Sequence, residues 1–517
     1  MKTEKPISRR DFLKIAASLS ITPRIGPAAG VGIAADNQSG RLPNIIILIF
    51  DALSALHLSL YDYPRQTSPN FERFASRATV YHNHHSAANF TTPSTASLFT
   101  STYPWEHRAY TLRGLIAPEA GRYNIFRLLG KKYYNAAYTH NVNADMLLYQ
   151  FEEYLDRHQA SDSYNFLGKM FYNHFPSEEA ISGLKSYDQF LIKREAPRGS
   201  LFASMLYDFS YLLRYRFTSR DLSAMYPIGM PSLPGSYVHF TLDEVVDGVI
   251  SLLGELPSPF FSYIHLLPPH YPYRPDDRFY NTFNDGWSPP PKKRHPLGDG
   301  PRANYPNKRQ TYDEFIANLD FEFGRLLEDL ENRDLLDNSY LILTSDHGES
   351  FERGHRGHTT PMLFEPLLRV PLVISAPGQR ERKDIKTFTS NLDLHPSLLQ
   401  IAGEPIPEAI NGRVLPGLEG ASQVRDKNNG RIIWALEAQT NSTRGPLQEA
   451  TLTMIRDQYK LIYYHGYRDY MDQYELYNLA NDPDELVNRY PSDPAADEMQ
   501  AVLDEKFKEI SQSVSSV

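Results

Sequence analysis

Pro43-Asn44-Ile45-Ile46-Ile47-Leu48-Ile49-Phe50-Asp51 is the stretch on which the fold turns. Its six consecutive apolar residues, four of them isoleucine, are bounded by a Pro-Asn turn signal and an aspartate. A strand with one face in water alternates apolar with polar residues, whereas a short unbroken apolar run suits a strand buried on both faces. The stretch therefore reads as a central strand of a parallel sheet. Runs of the same kind recur at residues 260–264, 340–344 and 370–375, the last with Pro371 near its start. Between them, residues 312–330 place Phe315, Leu319, Phe323, Leu326 and Leu327 at helical spacing. Strands alternating with helices imply an α/β fold with a mostly parallel central sheet flanked by helices. Ligands of such sheets sit beyond the carboxyl ends of the strands, so the residues that end each run come first in the search for chemistry.

Outward from this core the 517 residues are enough for more than one structural unit. Residues 42–404 carry the alternation and form the expected catalytic domain, and residues 405–517 change character and form an expected smaller C-terminal α+β subdomain. Residues from about 155 to 240 break the pattern and read as an insertion, a helical lid. If its aromatic stretch is helical, Leu206, Phe209, Leu213 and Phe217 share one stripe, and Tyr207, Tyr211 and Tyr215 share another that offers a substrate an aromatic floor. Residues 287–296 are Pro-rich and basic, the composition of a loop. Residues 1–35 read as an address: Ser8-Arg9-Arg10-Asp11-Phe12-Leu13-Lys14 ahead of a short apolar stretch resembles a twin-arginine signal. The resemblance implies the twin-arginine export machinery as a partner and a periplasmic or extracellular destination. That stretch is too short and too mixed to span a bilayer, and no transmembrane span is expected in the mature chain. A net charge of -9 gives nucleic acid no electrostatic hold, and the absence of cysteine excludes disulfides, thiolate metal sites and cysteine nucleophiles.

Three segments carry chemistry. Asp51 ends the first strand, a position that by itself suits a turn or cap. Thr92 is a natural N-cap and Pro93 a natural first helical residue, which sets Thr91 just ahead of a helix N-terminus, where the dipole and free N–H groups favour anions. Asp346-His347-Gly348 follows the 340–344 run and has the residue types of a metal site, with a glycine that permits close backbone approach. Adjacent residues on a strand point to opposite faces, so Asp346 and His347 converge only if the strand has already ended.

Taken in order, strand-Asp51, Thr91-Thr92-Pro93-Ser94 and strand-Asp346-His347-Gly348 resemble the alkaline phosphatase/sulfatase superfamily. The likeness extends through Pro104-Trp105-Glu106-His107, Pro269-His270-Tyr271-Pro272, Arg369-Val370-Pro371 and Asp393-Leu394-His395-Pro396. It implies that Asp51, Thr91, Asp346 and His347 bind a divalent metal, with Thr91 also the nucleophile. Three oxygen donors and one imidazole favour Mn²⁺ or Zn²⁺, with Mg²⁺ or Ca²⁺ possible. His270 and His358 match substrate-side positions that hold the transferred group or protonate the leaving oxygen. His265 and His395 are expected to satisfy core or backbone partners, and His84, His85 and His107 to be structural or on the surface.

The chain also departs from this family. Sulfatases proper carry cysteine or serine where Thr91 stands, for conversion to formylglycine, arginine where Thr95 stands, and a second aspartate where Ala52 stands. What remains resembles the four-ligand set of phosphodiesterases and of phosphoethanolamine or glycerol-phosphate transferases. The implied activity is a phosphoester hydrolase or phosphotransferase acting through phospho-Thr91 on a small-molecule, glycan or lipid-linked ester. The alternatives are a sulfuric ester hydrolase and an inactive binding homologue.

Overall fold

Eight strands build one sheet: β1 (Asn44–Phe50), β2 (Thr79–His85), β3 (Tyr134–Thr139), β4 (Arg157–Gln159), β5 (Phe260–Leu266), β6 (Ser339–Thr344), β7 (Leu372–Ser375) and β8 (Lys383–Ser390). Their order across the sheet is β4-β3-β5-β1-β6-β7-β2-β8. The computed structural model describes residues 42–165, 238–298, 305–418, 430–443 and 445–515, and between 165 and 238 only 209, 212, 213, 215–217, 220 and 222–232. The twin-arginine segment and most of the expected lid, Tyr207 and Tyr211 included, lie outside the described residues. No helix among those described is long and apolar enough to cross a membrane.

The unbroken run of β1 is explained by two separate cores. Ile46, Leu48 and Phe50 pack on one face with Tyr312, Phe315, Leu319 and Phe323 of the long helix Tyr305–Asn332. Ile45, Ile47 and Ile49 pack on the other with Phe99 of the helix Thr91–Thr100 and with Leu394 and Leu398 of the helix Leu394–Ala402. Every β1 residue is buried, and each large aliphatic side chain so placed contributes roughly 1.5–3 kcal/mol. In chain order these helices, with those that follow below, are α1 (Thr91–Thr100), α2 (Val142–Gln150), α3 (Tyr305–Asn332), α4 (Leu394–Ala402) and α5 (Ala496–Ser515).

Strands β5 and β6 flank β1 in parallel, as their apolar runs imply. The run at 370–375 is different, because β7 is antiparallel to both β6 and β2. A parallel neighbour needs a crossover back to the starting edge, usually through a helix. The chain between β6 and β7 contains only the short helix Glu365–Leu368 and stays at the carboxyl end of the sheet, where it presents Asp346, His347 and His358. The start of the expected insertion is also part of the sheet: β4 pairs in parallel with β3 at its edge.

Beyond residue 430, β9 (Ile432–Glu437), β10 (Ala450–Arg456), β11 (Tyr459–His465) and β12 (Gln473–Asn478) form a four-stranded antiparallel sheet. Met499, Leu503 and Ile510 of α5 cover Leu452, Met454 and Leu461 on its face, giving the expected α+β character. The Pro-rich stretch has no regular structure, and near its end His295 Nε2 meets Glu475 Oε1 of β12 at 3.2 Å.

Candidate active site

Asp51 is the first residue beyond β1, and its N–H donates to Leu266 O of the neighbouring strand at 3.0 Å. The next residue, Ala52, has φ of 59°, a left-handed conformation that costs an L-residue roughly 1–2 kcal/mol. It is held by its own N–H donating to Asp346 Oδ1 at 3.2 Å and by Tyr312 Oη donating to Ala52 O at 2.6 Å. The turn thus ties the ends of β1 and β6 to α3.

Strand β6 stops at Thr344, so Asp346 and His347 escape the alternation and do converge. His347 N–H donates to Asp346 Oδ1 at 2.9 Å, and the ring Nδ1 donates to Gly348 O at 2.9 Å. That leaves Nε2 facing inward, 3.5 Å from Asp51 Oδ1, 3.5 Å from Asp346 Oδ2 and 3.4 Å from Thr91 Oγ1. Gly348 permits this path, since a Cβ there would lie 2.0 Å from Pro366 O.

Thr91 is the first residue of α1, capped by the extended backbone of Phe90 rather than by Thr92. Pro93 therefore falls within the first turn, where its missing N–H removes no helical bond. The Thr91 side chain meets Asn141, which the sequence did not single out. Asn141 caps α2 through its Oδ1, which accepts from Asn143 N–H at 2.8 Å. Its amide nitrogen is thereby turned toward the site, donating to Thr91 Oγ1 at 3.1 Å and to Asp51 Oδ2.

His265 was expected to have a core partner, and it has one: Nδ1 lies 2.9 Å from Tyr263 Oη. Its other nitrogen enters the site, 3.5 Å from Asp51 Oδ2 and 3.8 Å from Asp346 Oδ2. Parity was the signal for it. β5 pairs with β1 so that His265 is level with Ile49, and residues 49, 51 and 265 share one face. Thr139 of β3 is level with His265 in turn, which puts Asn141, two residues on, at the same place.

His270 and His358 face each other at the rim, their ring centroids 4.9 Å apart, and His358 lies 4.3 Å from His347. His270 Nδ1 donates to Tyr271 O at 2.5 Å, and His358 Nδ1 lies 3.4 Å from Glu349. Burial pulls the His270 imidazole pKa down against the attraction of Asp51, whereas Glu349 outweighs burial and lifts that of His358. The other histidines expected to be structural have such partners: His84 with Thr389, His85 with Glu365, His107 with Ser97 and His395 with Tyr123 O.

The donors fit a divalent cation. Asp51 Oδ1, Asp346 Oδ2 and His265 Nε2 are buried without a hydrogen-bond partner, and one ligand atom from each of the three residues lies within 4.8 Å of the others. Burial and the Asp51 charge push the Asp346 carboxyl up to about 7. Burial also opposes ionisation of Asp51, but His270, His265 and His347 together hold it well below the usual carboxylate range. Two buried carboxylates with imidazole nitrogens aimed between them form a donor set that a bound cation would balance.

A mostly parallel sheet with carboxylates and imidazoles beyond its strand ends, and a hydroxyl on a helix N-terminus beside them, defines an α/β protein of the alkaline phosphatase/sulfatase type. Residues 43–404 match the family model described as Sulfatase, and the chain belongs to the sulfatase family. Residues 354–513 also match the model for the C-terminal part of N-sulphoglucosamine sulphohydrolase. Among curated relatives, Arylsulfatase K of Canis lupus familiaris is 30% identical over 207 residues, 40% of this chain and 37% of that protein. That match spans little more than a third of the relative's length. A Sulfatase of Formosa agariphila is 24% identical over 527 residues, covering 90% of this chain and 88% of its own. Among solved structures, the phosphonate monoester hydrolase of Agrobacterium radiobacter superposes with a TM-score of 0.63 at 19% identity, covering 91% of this chain and 96% of that one. A structure solved with its substrate D-glucosamine-2-N,6-O-disulfate gives 0.62 at 17% identity, covering 92% and 98%.

Proposed function

We propose that this chain is a metal-dependent phosphoester hydrolase or phosphotransferase that works through Thr91. The observation that carries the reading is the setting of the Thr91 hydroxyl, between Asn141 Nδ2 at 3.1 Å and His347 Nε2 at 3.4 Å at the start of α1. Asp51, Thr91, Asp346 and His347 would hold a divalent cation, with His265 as a further donor, and such an ion when bound would lower the Thr91 hydroxyl pKa, which an unaided threonine needs near neutral pH. Mn²⁺ or Zn²⁺ suits this mixed oxygen and imidazole set better than Mg²⁺ or Ca²⁺. The Thr91 hydroxyl gives up its proton to water as its oxygen attacks phosphorus, the bond from phosphorus to the leaving alcohol breaks, and that leaving oxygen takes its proton from His270 or His358. A water or a second alcohol then attacks phospho-Thr91, gives its proton to the same histidine, and returns Thr91 with the phosphate or the new ester. Asn141 keeps the nucleophile and Asp51 in register. The substrate is a small-molecule, glycan or lipid-linked ester outside the cytoplasm, a location that rests on the Ser8 to Lys14 signal.

The second reading, a sulfuric ester hydrolase, is favoured by the Arylsulfatase K likeness. Threonine chemistry speaks against it. Oxidation of threonine gives a ketone rather than the aldehyde of formylglycine, and a sulfated threonine lacks the hemiacetal route that releases sulfate. The test compares nitrophenyl phosphate, bis-nitrophenyl phosphate and nitrophenyl sulfate on the metal-reconstituted chain. Multiple turnovers of a phosphate ester are expected. Rapid multiple-turnover release from the sulfate with no phosphatase activity overturns the reading.

A further inference from the structure

The rim of the site carries three cations for which the described residues supply no ion-pair partner. Tyr271 and Tyr273 follow His270 and continue into Tyr312 of α3 as a ladder of edge-on rings, with centroids 5.5 Å and 5.2 Å apart. The ladder starts beside Asp51, where Tyr312 Oη holds Ala52 O, and reaches solvent at Tyr271, which is 38% exposed. Three cations border it. Arg356, on the loop that carries His358, lies over the Tyr271 ring, 5.2 Å from its centroid. Lys308 precedes Tyr312 by one helical turn and so shares its face of α3. Arg274 follows Tyr273 and donates to Ile228 O. Burial lowers the pKa of the Lys308 ammonium, and the charges of Arg356 and Arg274 lower it further, so the three are within electrostatic reach. Among the described residues none of them has an ion-pair partner. Glu352, an acid of the same loop as Arg356, is taken by Lys292 at 3.1 Å, and Glu349 by His358. Like charges gathered over an aromatic shelf repel each other unless an anion lies among them.

We propose that Arg274, Lys308 and Arg356 form a second anion subsite, so that the favoured substrate is an ester whose alcohol portion carries a further anionic group. Tyr271 and Tyr273 floor the path between that group and the reacting centre, suiting the flat apolar face of a sugar or an aromatic ring. The proposal rests on the reading of the Thr91 centre as an ester-cleaving site. The test pairs nitrophenyl phosphate with carboxynitrophenyl phosphate, and the two corresponding sulfates, on the metal-reconstituted full chain. Wild type is expected to favour the carboxylate-bearing ester at low salt. Arg356→Ala and Lys308→Ala each lower the ratio of kcat/KM for the carboxylated over the plain ester at least tenfold, through KM, and Arg356→Lys restores part of it. A ratio unchanged in both alanine variants overturns the proposal. If wild type turns over neither phosphate nor sulfate, the Thr91 reading has failed, and the subsite is then read from thermal shifts. A stabilisation by carboxynitrophenyl phosphate that Arg356→Ala abolishes supports the subsite, and equal shifts in both proteins refute it.

Discussion

At position 91 a threonine hydroxyl, only 3% exposed, stands on a helix N-terminus beside Asn141 and His347, while three residues on Ser94 faces away into the fold. Ser94 Oγ lies 2.9 Å from Ser86 Oγ and 3.1 Å from Ala88 O, so its bonds are structural. Thr91→Ala is therefore expected to abolish turnover of any aryl phosphate with the fold intact. Ser94→Ala keeps turnover and costs roughly 1–3 kcal/mol in urea unfolding, because buried partners lose their hydrogen bonds. Equal loss of activity in both variants defeats the assignment. Asn141 belongs to the same scale but has a positioning role. Asn141→Ala is expected to keep the metal and lower kcat about 10–100-fold, the usual cost of losing a group that orients a ligand. Elemental analysis beside kinetics separates this from a ligand role, which would lose metal content first. Asp346→Ala should empty the site outright, since it removes both a donor and the acceptor of the His347 and Ala52 N–H groups. Asp51, Thr91, Asp346 and His347, named from the sequence through the family resemblance, do meet in the structure, because two follow strand ends in one sheet and Thr91 opens the helix beside them. Asn141 and His265 were not legible as site residues, because asparagine at a helix cap and histidine inside an apolar run have ordinary explanations that are also true here.

At the scale of elements, short pieces at the sheet edge are fixed by charge rather than by apolar area. β4 is three residues long, and its His158 reaches Asp145 Oδ1 of α2 at 2.9 Å through Nε2 and Glu152 through Nδ1. Burial disfavours the imidazolium, but the two carboxylates outweigh it and raise the His158 pKa to about 9. Since the folded-state value lies above the ordinary one, this stabilisation is whole below about pH 6.5 and is lost as the pH climbs through about 9. In chemical denaturation between pH 6 and pH 9.5, wild type should lose on the order of 2 kcal/mol more than His158→Gln does. Parallel loss in the two proteins rules the ion pair out as the cause. Because Asp145 lies on the helix that Asn141 caps, the same variant is expected to lower kcat modestly at neutral pH. The register of β4 and the reversed direction of β7 were hidden in the sequence, since a run of four to six residues carries no mark of its direction. Only the lack of a crossover helix between β6 and β7 hinted at the reversal.

Across the whole molecule, one buried ion cluster joins the catalytic sheet to the C-terminal sheet. Lys460 of β11 is fully buried, with Glu365 Oε1 at 2.9 Å and Glu485 Oε1 at 2.8 Å, and Glu365 Oε2 also accepts from His85 of β2 at 3.0 Å. Lys460→Met leaves two carboxylates buried together and is expected to destabilise the chain by about 3–5 kcal/mol. Adding Glu365→Gln to that variant should recover part of the loss. A urea midpoint unmoved by Lys460→Met would falsify the role of the cluster as the clamp between the sheets. Because Glu365 lies on the segment between His358 and β7, loosening the clamp is also expected to raise KM before activity disappears.

What the sequence determined by itself is the part set by local rules. A six-residue apolar run has to be buried on both faces, so the central strands, the parallel α/β class and the placing of chemistry at strand ends followed from residue order alone. The change of character near residue 405 marked a smaller α+β subdomain, whereas the antiparallel order of its sheet came only from the structure. What only the tertiary structure decided depends on which strands are neighbours. Pairing β5 with β1 in parallel gave His265 the face of Asp51, and pairing β3 with β5 brought Asn141 to Thr91. The arrival of Arg274, Lys308 and Arg356 at one rim, from three segments distant in sequence, is of the same kind. Side-chain alternation is written in the chain, but the register that aligns one strand's alternation with the next is set by packing across the whole sheet.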